Sequence, residues 1–304
     1  LRAGCETVPG FLLRTTDGLI EAGVPEMLPQ VDSLPSPFRI PRWPLDRYPL
    51  GVLFSNRGCP HNCAFCYTPA ASGRRLSQRV REGVLKDIVE MAKANVEHVF
   101  FADPVFLPSA HRPLQLLEDL RELDTGLTFN CELRTEAVTP ATLRAMRDAG
   151  FISISYGLET ASSSVLDGVN KHVDLVRFRE IVQMTLEHGI MVELFCIHGL
   201  PGQTVDDIKA TFDFIESCGP AVQAAAAFQQ LQLYFGIELL RDPGRYGIEI
   251  IGKRPPYLSP ATSFRTASLG PDEFRMLEQE WEARVKPVQQ LFGINTERTN
   301  ALRH

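Results

Sequence analysis

RGCPHNCAFCYTP (57–69) places Cys59, Cys63 and Cys66 at CxxxCxxC spacing inside a turn that also holds Gly58, Pro60, His61 and Asn62. A 4Fe–4S cluster takes one thiolate per iron, and a loop this tight presents three sulfurs while leaving the fourth iron open. A closed zinc site wants four protein ligands, usually as two paired halves. No second pair occurs in the 304 residues, so zinc would need His61 as its fourth ligand. Three cysteines gathered by chance at a buried strand end is the other alternative. Against it, the loop is polar, and unliganded thiols there would be open to oxidation.

Outward from the loop, apolar runs of strand length alternate with runs of helical periodicity. GVLFSN (51–56) leads into the cysteines, and EGVLKDIVEMAKAN (82–95) follows with Val84, Leu85, Ile88, Val89 and Ala92 in helical register. The unit then repeats: VEHVFFA (96–102) with HRPLQLLEDLREL (111–123), LTFNCELR (127–134) with TPATLRAMRDAG (139–150), and FISISYGLE (151–159) with LVRFREIVQMTLEHG (175–189). IMVELFCI (190–197) precedes TVDDIKATFDFIESCG (204–219), and AAAFQQLQLYF (225–235) is a sixth strand. Thr139 and Pro140 read as a helix start, and Gly150 as a stop. Six strands alternating with five helices predict an α/β fold with a parallel sheet and right-handed crossovers. In such a fold the chemistry lies where strands end. The cysteine loop, Asp103, Glu132, Arg134, Glu159, His198 and Gly199 all fall there.

The cysteine motif, with Phe65 before its third cysteine, resembles that of the radical S-adenosylmethionine (radical SAM) superfamily. The element order fits that family's partial (βα)6 TIM-like barrel over 50–236. The resemblance implies that Cys59, Cys63 and Cys66 hold a 4Fe–4S cluster whose open iron chelates S-adenosylmethionine. An electron from the cluster then cleaves it to methionine and a 5′-deoxyadenosyl radical. Phe65 is implied to pack near the adenine. The loop FFADPVF (100–106) departs from the family's GGE, which leaves the Ala102 carbonyl and Asp103 as candidates for the amino group; an Asp capping its own loop is the other reading. SYGLET (155–160) is similar to the ribose-binding segment, with Glu159 the candidate carboxylate. A salt bridge from Glu159 to Arg134 is the alternative. Lys171 looks like the partner of the methionine carboxylate, with Arg134 its rival. CIHGLPGQT (196–204) resembles the adenine-flanking segment, where Gly199 and Gly202 admit the ring. His61, Tyr67 and His198 are further groups near the barrel mouth, for substrate contact or for packing.

The lead-in, residues 1–49, carries a hairpin signal in VPGFLLRTTDGLIEAG (8–23) and five prolines between 34 and 50, which predict an extended strap. This layout resembles the connector after the cobalamin-binding domain of cobalamin-type radical SAM proteins. Because the chain opens on Leu1, such a domain is expected upstream, with cobalamin as an additional cofactor. Beyond 236, a C-terminal extension ends in a helix over 270–293, whose stripe of Phe274, Leu277, Trp281, Val285, Val288 and Leu291 or Phe292 covers the barrel.

A net charge of −6 argues against a nucleic-acid groove, since phosphate binding needs clustered Lys and Arg. No apolar run reaches the ~20 residues of a membrane span. Seven cysteines, three committed together, argue against a disulfide framework and for a reducing cytoplasm. Cys5, Cys131, Cys196 and Cys218 are scattered singly; Cys131 and Cys196 read as core residues on strands. The resulting expectation is a radical SAM methyltransferase acting on a small molecule or lipid, served by a flavodoxin- or ferredoxin-type reductant. A cobalamin-independent radical SAM enzyme and a passive iron–sulfur carrier are the alternatives.

Overall fold

The computed structural model describes residues 12–15, 18–21, 31–40, 44–107, 112–251 and 263–292. Six parallel strands form one sheet: β1 (Leu50–Leu53), β2 (His98–Phe101), β3 (Thr128–Leu133), β4 (Phe151–Glu159), β5 (Met191–His198) and β6 (Ala227–Gln230). Their spatial order is their chain order, and every neighbouring pair is parallel, so the sheet curls into a half-barrel. The crossovers are α1 (Arg81–Lys93), α2 (Arg112–Leu123), α3 (Pro140–Asp148), α4 (Leu175–Glu187) and α5 (Val205–Ser217), as the periodicity predicts. Thr139 caps α3 through its side chain, which accepts from the Thr142 N–H at 3.1 Å.

One face of the sheet is dry. Val99, Phe101, Phe129, Cys131, Leu133, Ile154, Tyr156, Val192, Leu194 and Cys196 are buried there beneath the helices. Tyr156 reaches into the helical layer, its hydroxyl 2.9 Å from Thr185 Oγ1 of α4. The alternate residues, His98, Asn130, Glu132, Ser153, Ser155 and Glu193, look the other way and are mostly polar. A parallel sheet covered on both faces reads as nearly continuous apolar runs. The alternation along β3 to β5 therefore marks a polar hollow on the open face. Register aligns Glu132, Ser155 and Glu193 across β3, β4 and β5.

Three expectations change. β1 ends at Leu53, short of the expected 56, and the Ser55 and Asn56 N–H groups turn to Asp103. β6 is only four residues long: a short helix, Pro220–Ala225, occupies its expected start, and the chain leaves the sheet after Gln230. The proline-rich strap is not simply extended. It folds into 3₁₀ turns at Pro37–Arg39 and Leu45–Arg47, with another just before it at Val31–Ser33; at Pro37, proline's fixed φ suits the first helical position. The lead-in hairpin is present, Leu12–Thr15 pairing antiparallel with Gly18–Glu21. Cys5 lies outside the described residues.

Charge ties the strap to the barrel. Asp87, buried on α1, meets Arg39 Nε at 2.9 Å and Arg79 Nη2 at 2.8 Å, and Arg79 Nε reaches Asp32 at 3.1 Å. The final helix, α6 (Pro271–Leu291), lays Phe274, Leu277, Trp281 and Val285 against β6 and α5, with the Trp281 ring 5.1 Å from Phe212. Its stripe stops short of the prediction. Leu291 is 83% and Phe292 52% exposed, because the surface α6 covers ends before its last turn.

Asp87→Ala removes the buried carboxylate that joins Arg39 and Arg79; Arg39 is 41% exposed and Arg79 keeps Asp32, so the cost is that of charge-assisted hydrogen bonds lost, ~1–3 kcal/mol. Chemical denaturation should show that loss. Limited proteolysis should also cut the variant first within residues 31–40.

Candidate active site at the cysteine loop

The cysteine loop is clamped from two sides. The Ala64 N–H donates to Val169 O, beyond β4, at 2.9 Å, and Ala64 O accepts from the Leu239 N–H, beyond β6, at 3.2 Å. The Cys59 N–H is held by Gly73 O at 3.2 Å. Tyr67, half-exposed, sets its ring 5.2 Å from Tyr234, so the loops after β1 and β6 meet across the open side of the half-barrel. All six described cysteines are free thiols. Burial pushes the Cys59 and Cys63 thiols up, while Lys171 and Arg134 pull Cys63 back toward the thiolate. Among the described residues no three His, Cys, Asp or Glu side chains are gathered as a single metal ion would need. A cluster asks for something different, one thiolate on each of three irons.

Beside Cys63 stands Arg134, at the end of β3. Its Nη1 donates to Cys63 Sγ at 3.8 Å and its Nη2 to Glu136 Oε1 at 2.7 Å. Its Nε is buried with no partner. Clamped backbone, three unbridged thiols, a cation against one sulfur and an unsatisfied donor together fit a thiolate-ligated cluster with an anionic ligand beside it.

Glu159 pairs with Lys171, not with Arg134. The Lys171 ammonium lies 2.6 Å from Glu159 Oε1 and 2.7 Å from Gly157 O, with both side chains buried. Two backbone features build this pair. The β4–β5 register shifts between Gly157 and Glu159, and Glu159 itself adopts φ +63°, rare for a residue with a side chain. A Cβ at position 157 would sit 2.5 Å from Glu159 Oε1 and 2.7 Å from Lys171 Nζ, so only glycine leaves room for the ion pair.

Asp103 is a loop pin. Fully buried, it accepts from the Ser55 N–H at 2.6 Å, the Asn56 N–H at 3.0 Å and the Ser55 hydroxyl. Burial pushes its carboxyl up to about 7 against these hydrogen bonds. Gly199 serves packing: the Phe274 and Phe264 rings lie 3.1 Å and 3.3 Å from where its Cβ would be, and its N–H donates to Gln203 Oε1 at 2.9 Å. His198 lies within the core rather than at the mouth. Its ring stacks on Phe228 at 4.6 Å, its Nε2 meets Glu278 at 3.1 Å, and burial pushes its pKa down to about 4. Phe65 is half-buried against the core within the cysteine loop.

The sequence reading passed over Gln203, Ser155 and Glu193. Gln203 is fully buried and holds the turn after β5 through both the Gly199 and Leu200 N–H groups. Ser155 Oγ donates to Glu193 Oε2 at 2.9 Å. Burial first, and then Glu193, raise the Glu132 carboxyl. The period-two alternation of β4 and β5 was the available signal. A groove of about 510 Å³ between α4 and α5, lined by Val176, Phe214 and Cys218 among others, opens on the helical layer, away from the thiols.

A half-barrel whose first strand feeds a clamped three-thiol loop is the frame into which comparison with known proteins fits. The family model of the Radical SAM superfamily matches residues 53–215, and the chain belongs to that superfamily. It is 30% identical over 189 residues to the hopanoid C-2 methylase of Rhodopseudomonas palustris (strain TIE-1), covering 59% of this chain and 36% of that protein. Among solved structures it is similar to the cobalamin-dependent S-adenosylmethionine radical enzyme OxsB, with a TM-score of 0.73 and 17% identity over 93% of this chain and 48% of that one. It is also similar to the radical S-adenosylmethionine methyltransferase TsrM from Kitasatospora setae, with a TM-score of 0.70 and 18% identity over 89% of this chain and 57% of that one. The chain spans between 36% and 42% of the length of the first curated relatives it matches. Membership implies a 4Fe–4S cluster and S-adenosylmethionine as cofactors. Among the described residues no helix is long and apolar enough to cross a membrane.

The Asp103 carboxyl has an expected signature in stability. Its pKa is raised from 3.8 to about 7 on folding, so its contribution is fully present below 3.8 and is lost as pH rises through about 7. Between pH 6 and 8 the protein should lose on the order of 1 kcal/mol that Asp103→Asn does not lose. Denaturant midpoints at the two pH values check this.

Proposed function

We propose that this chain is the catalytic half-barrel of a cobalamin-type radical SAM methyltransferase acting on a small-molecule or lipid substrate. The observation that carries the reading is the clamped loop of Cys59, Cys63 and Cys66 after β1, with the Glu159–Lys171 pair at the end of β4 near enough to act on the Cys63 thiol. Support for the methyltransferase class comes from the 30% identity to a hopanoid methylase and from a fold likeness to OxsB and TsrM that runs over most of the chain. The lead-in at 1–49 and the tail from 237 onward are assigned to docking a cobalamin domain and to shaping the substrate site, respectively, around a barrel of 50–236.

When bound, a 4Fe–4S cluster supplies the electron that cleaves S-adenosylmethionine. The protein's own contributions are positional. Cys59, Cys63 and Cys66 hold three irons. Asp103 is engaged with Ser55 and Asn56, so within its loop the Ala102 carbonyl is the group presented to the methionine amino group. Glu159 uses Oε1 for Lys171 and keeps Oε2 for a ribose hydroxyl, while the third Lys171 N–H serves the methionine carboxylate. Phe65 and the segment from Gly199 border the adenine. The electron donor is a flavodoxin- or ferredoxin-type protein, and the compartment is the cytoplasm, where thiols stay reduced.

Anaerobically reconstituted protein should bind four irons and four sulfides per chain, the content of one such cluster. The combined substitution of Cys59, Cys63 and Cys66 by Ala should abolish that binding; iron retained at the wild-type level, or zinc alone, would sink the assignment. Glu159→Gln should weaken S-adenosylmethionine binding by ~1–3 kcal/mol, the range for a hydrogen bond to a charged group, with iron content unchanged. Equilibrium binding measures the first and iron analysis the second. For methyl transfer, the native gene product is loaded with methylcobalamin and its products are read by mass spectrometry. A gene product that binds no cobalamin moves the assignment to a cobalamin-independent radical SAM enzyme.

A further inference from the structure

Resting on the reading of the three cysteines as cluster ligands, we propose that Arg134 is a positioning residue that presents a fixed positive charge and an N–H to the Cys63 sulfur, making the cluster easier to reduce.

The geometry is that of a tethered fork. A guanidinium is planar, so one well-anchored nitrogen fixes the direction of the others. Glu136 Oε1 anchors Nη2 at 2.7 Å, and Glu136 follows only two residues later, in the 3₁₀ turn Thr135–Ala137. The anchor turns Nη1 toward Cys63 Sγ at 3.8 Å. The two members of the Arg134–Glu136 pair are not equivalent in water: the Glu136 side chain is 53% exposed and that of Arg134 only 19%. Solvent therefore screens the carboxylate more than the guanidinium, and the sulfur feels a net positive field.

Lys171 is the other cation that acts on this sulfur, but only through space and partly offset by Glu159. Its ammonium is committed to Glu159 Oε1 at 2.6 Å and Gly157 O at 2.7 Å. Arg134 is thus the cation that meets the thiolate directly, with an N–H on the sulfur as well as a charge beside it. Reduction adds one electron, and one negative charge, to the cluster. A neighbouring cation and a hydrogen bond to a ligand sulfur both favour the reduced state. The electron comes from outside, from a one-electron donor of the flavodoxin or ferredoxin class, and no bond at Arg134 is made or broken.

The test compares anaerobically reconstituted wild type, Arg134→Gln and Arg134→Lys. Iron and sulfide per chain are measured first, then the midpoint potential by electron paramagnetic resonance during titration with a chemical reductant, and separately the affinity for S-adenosylmethionine. Arg134→Gln should hold wild-type iron and shift the midpoint to more negative potential. Arg134→Lys, which keeps charge but not the fork, should fall between the two. An unchanged midpoint in Arg134→Gln overturns the proposal. So does loss of S-adenosylmethionine affinity with an unchanged midpoint, which assigns Arg134 to the methionine carboxylate. If Arg134→Gln loses iron, Arg134→Lys decides, and a wild-type midpoint there overturns the proposal. Failure of the wild type to bind iron refutes the cluster assignment itself, a result separate from any shift among the variants.

Discussion

The carboxylate of Asp103 is the constraint on which the site depends. It sits fully buried just past β2 and takes the backbone N–H groups of Ser55 and Asn56, just past β1. With those donors held, the chain that leaves the sheet at Leu53 enters the cysteine loop in one direction. Asn56 extends the hold, its side-chain amide donating to Val105 O at 2.8 Å. Once the start of the loop is set, its far end is set by Val169 and Leu239, from the loops after β4 and β6. The three thiols are therefore positioned by four different strands, although they come from one short stretch of chain. A site that the sequence presents as local is held by non-local contacts.

Most of the half-barrel was legible because each strand had to satisfy two environments at once. The face under the helices needs Val, Phe, Leu and Tyr to exclude water, and the opposite face bounds a polar hollow, so residues alternate along β3 to β5. The helices were legible for the complementary reason, a single apolar stripe with recognisable ends such as Thr139 before Pro140. The cysteine motif was legible because three thiolates in a polar turn have few purposes other than metal ligation.

What escaped the sequence were features that depend on a partner distant in the chain. The left-handed backbone at Glu159 has no local signature: SYGLET reads as an ordinary strand, and only the shifted register against β5 reveals the bulge. The salt bridge to Arg134, weighed as the alternative for Glu159, gives way to Lys171 for a similar reason. Arg134 and Lys171 are both plausible cations by position, but Gly157 opens a space that only the Lys171 ammonium enters. His198 lies at a strand end, which suggests chemistry, yet its orientation places it on the helical face, where α6 and Phe228 enclose it. Proline count implied an extended strap, whereas Ser36 capping Phe38 favours a 3₁₀ turn that tucks Phe38 against the core.

The two cations near the thiols divide the electrostatic work by how each is compensated. Lys171 is matched by a buried carboxylate, so its pull on Cys63 acts through space and is partly offset by Glu159, while the pair fixes a set of hydrogen-bond positions. Arg134 is matched by a carboxylate that water screens, so its charge survives toward the sulfur. Exchanging the two arrangements would be costly in both directions. An unscreened Lys171 deep in the barrel would need its own counter-ion, and an internally neutralised Arg134 would leave the thiolates to share the burial that already raises Cys59 and Cys63. The 3₁₀ turn after β3 supplies the asymmetry, since it carries Glu136 outward while leaving Arg134 at the sheet edge. In this way the position of one strand end relative to solvent, and not only the number of charges, shapes the field at the cysteine loop.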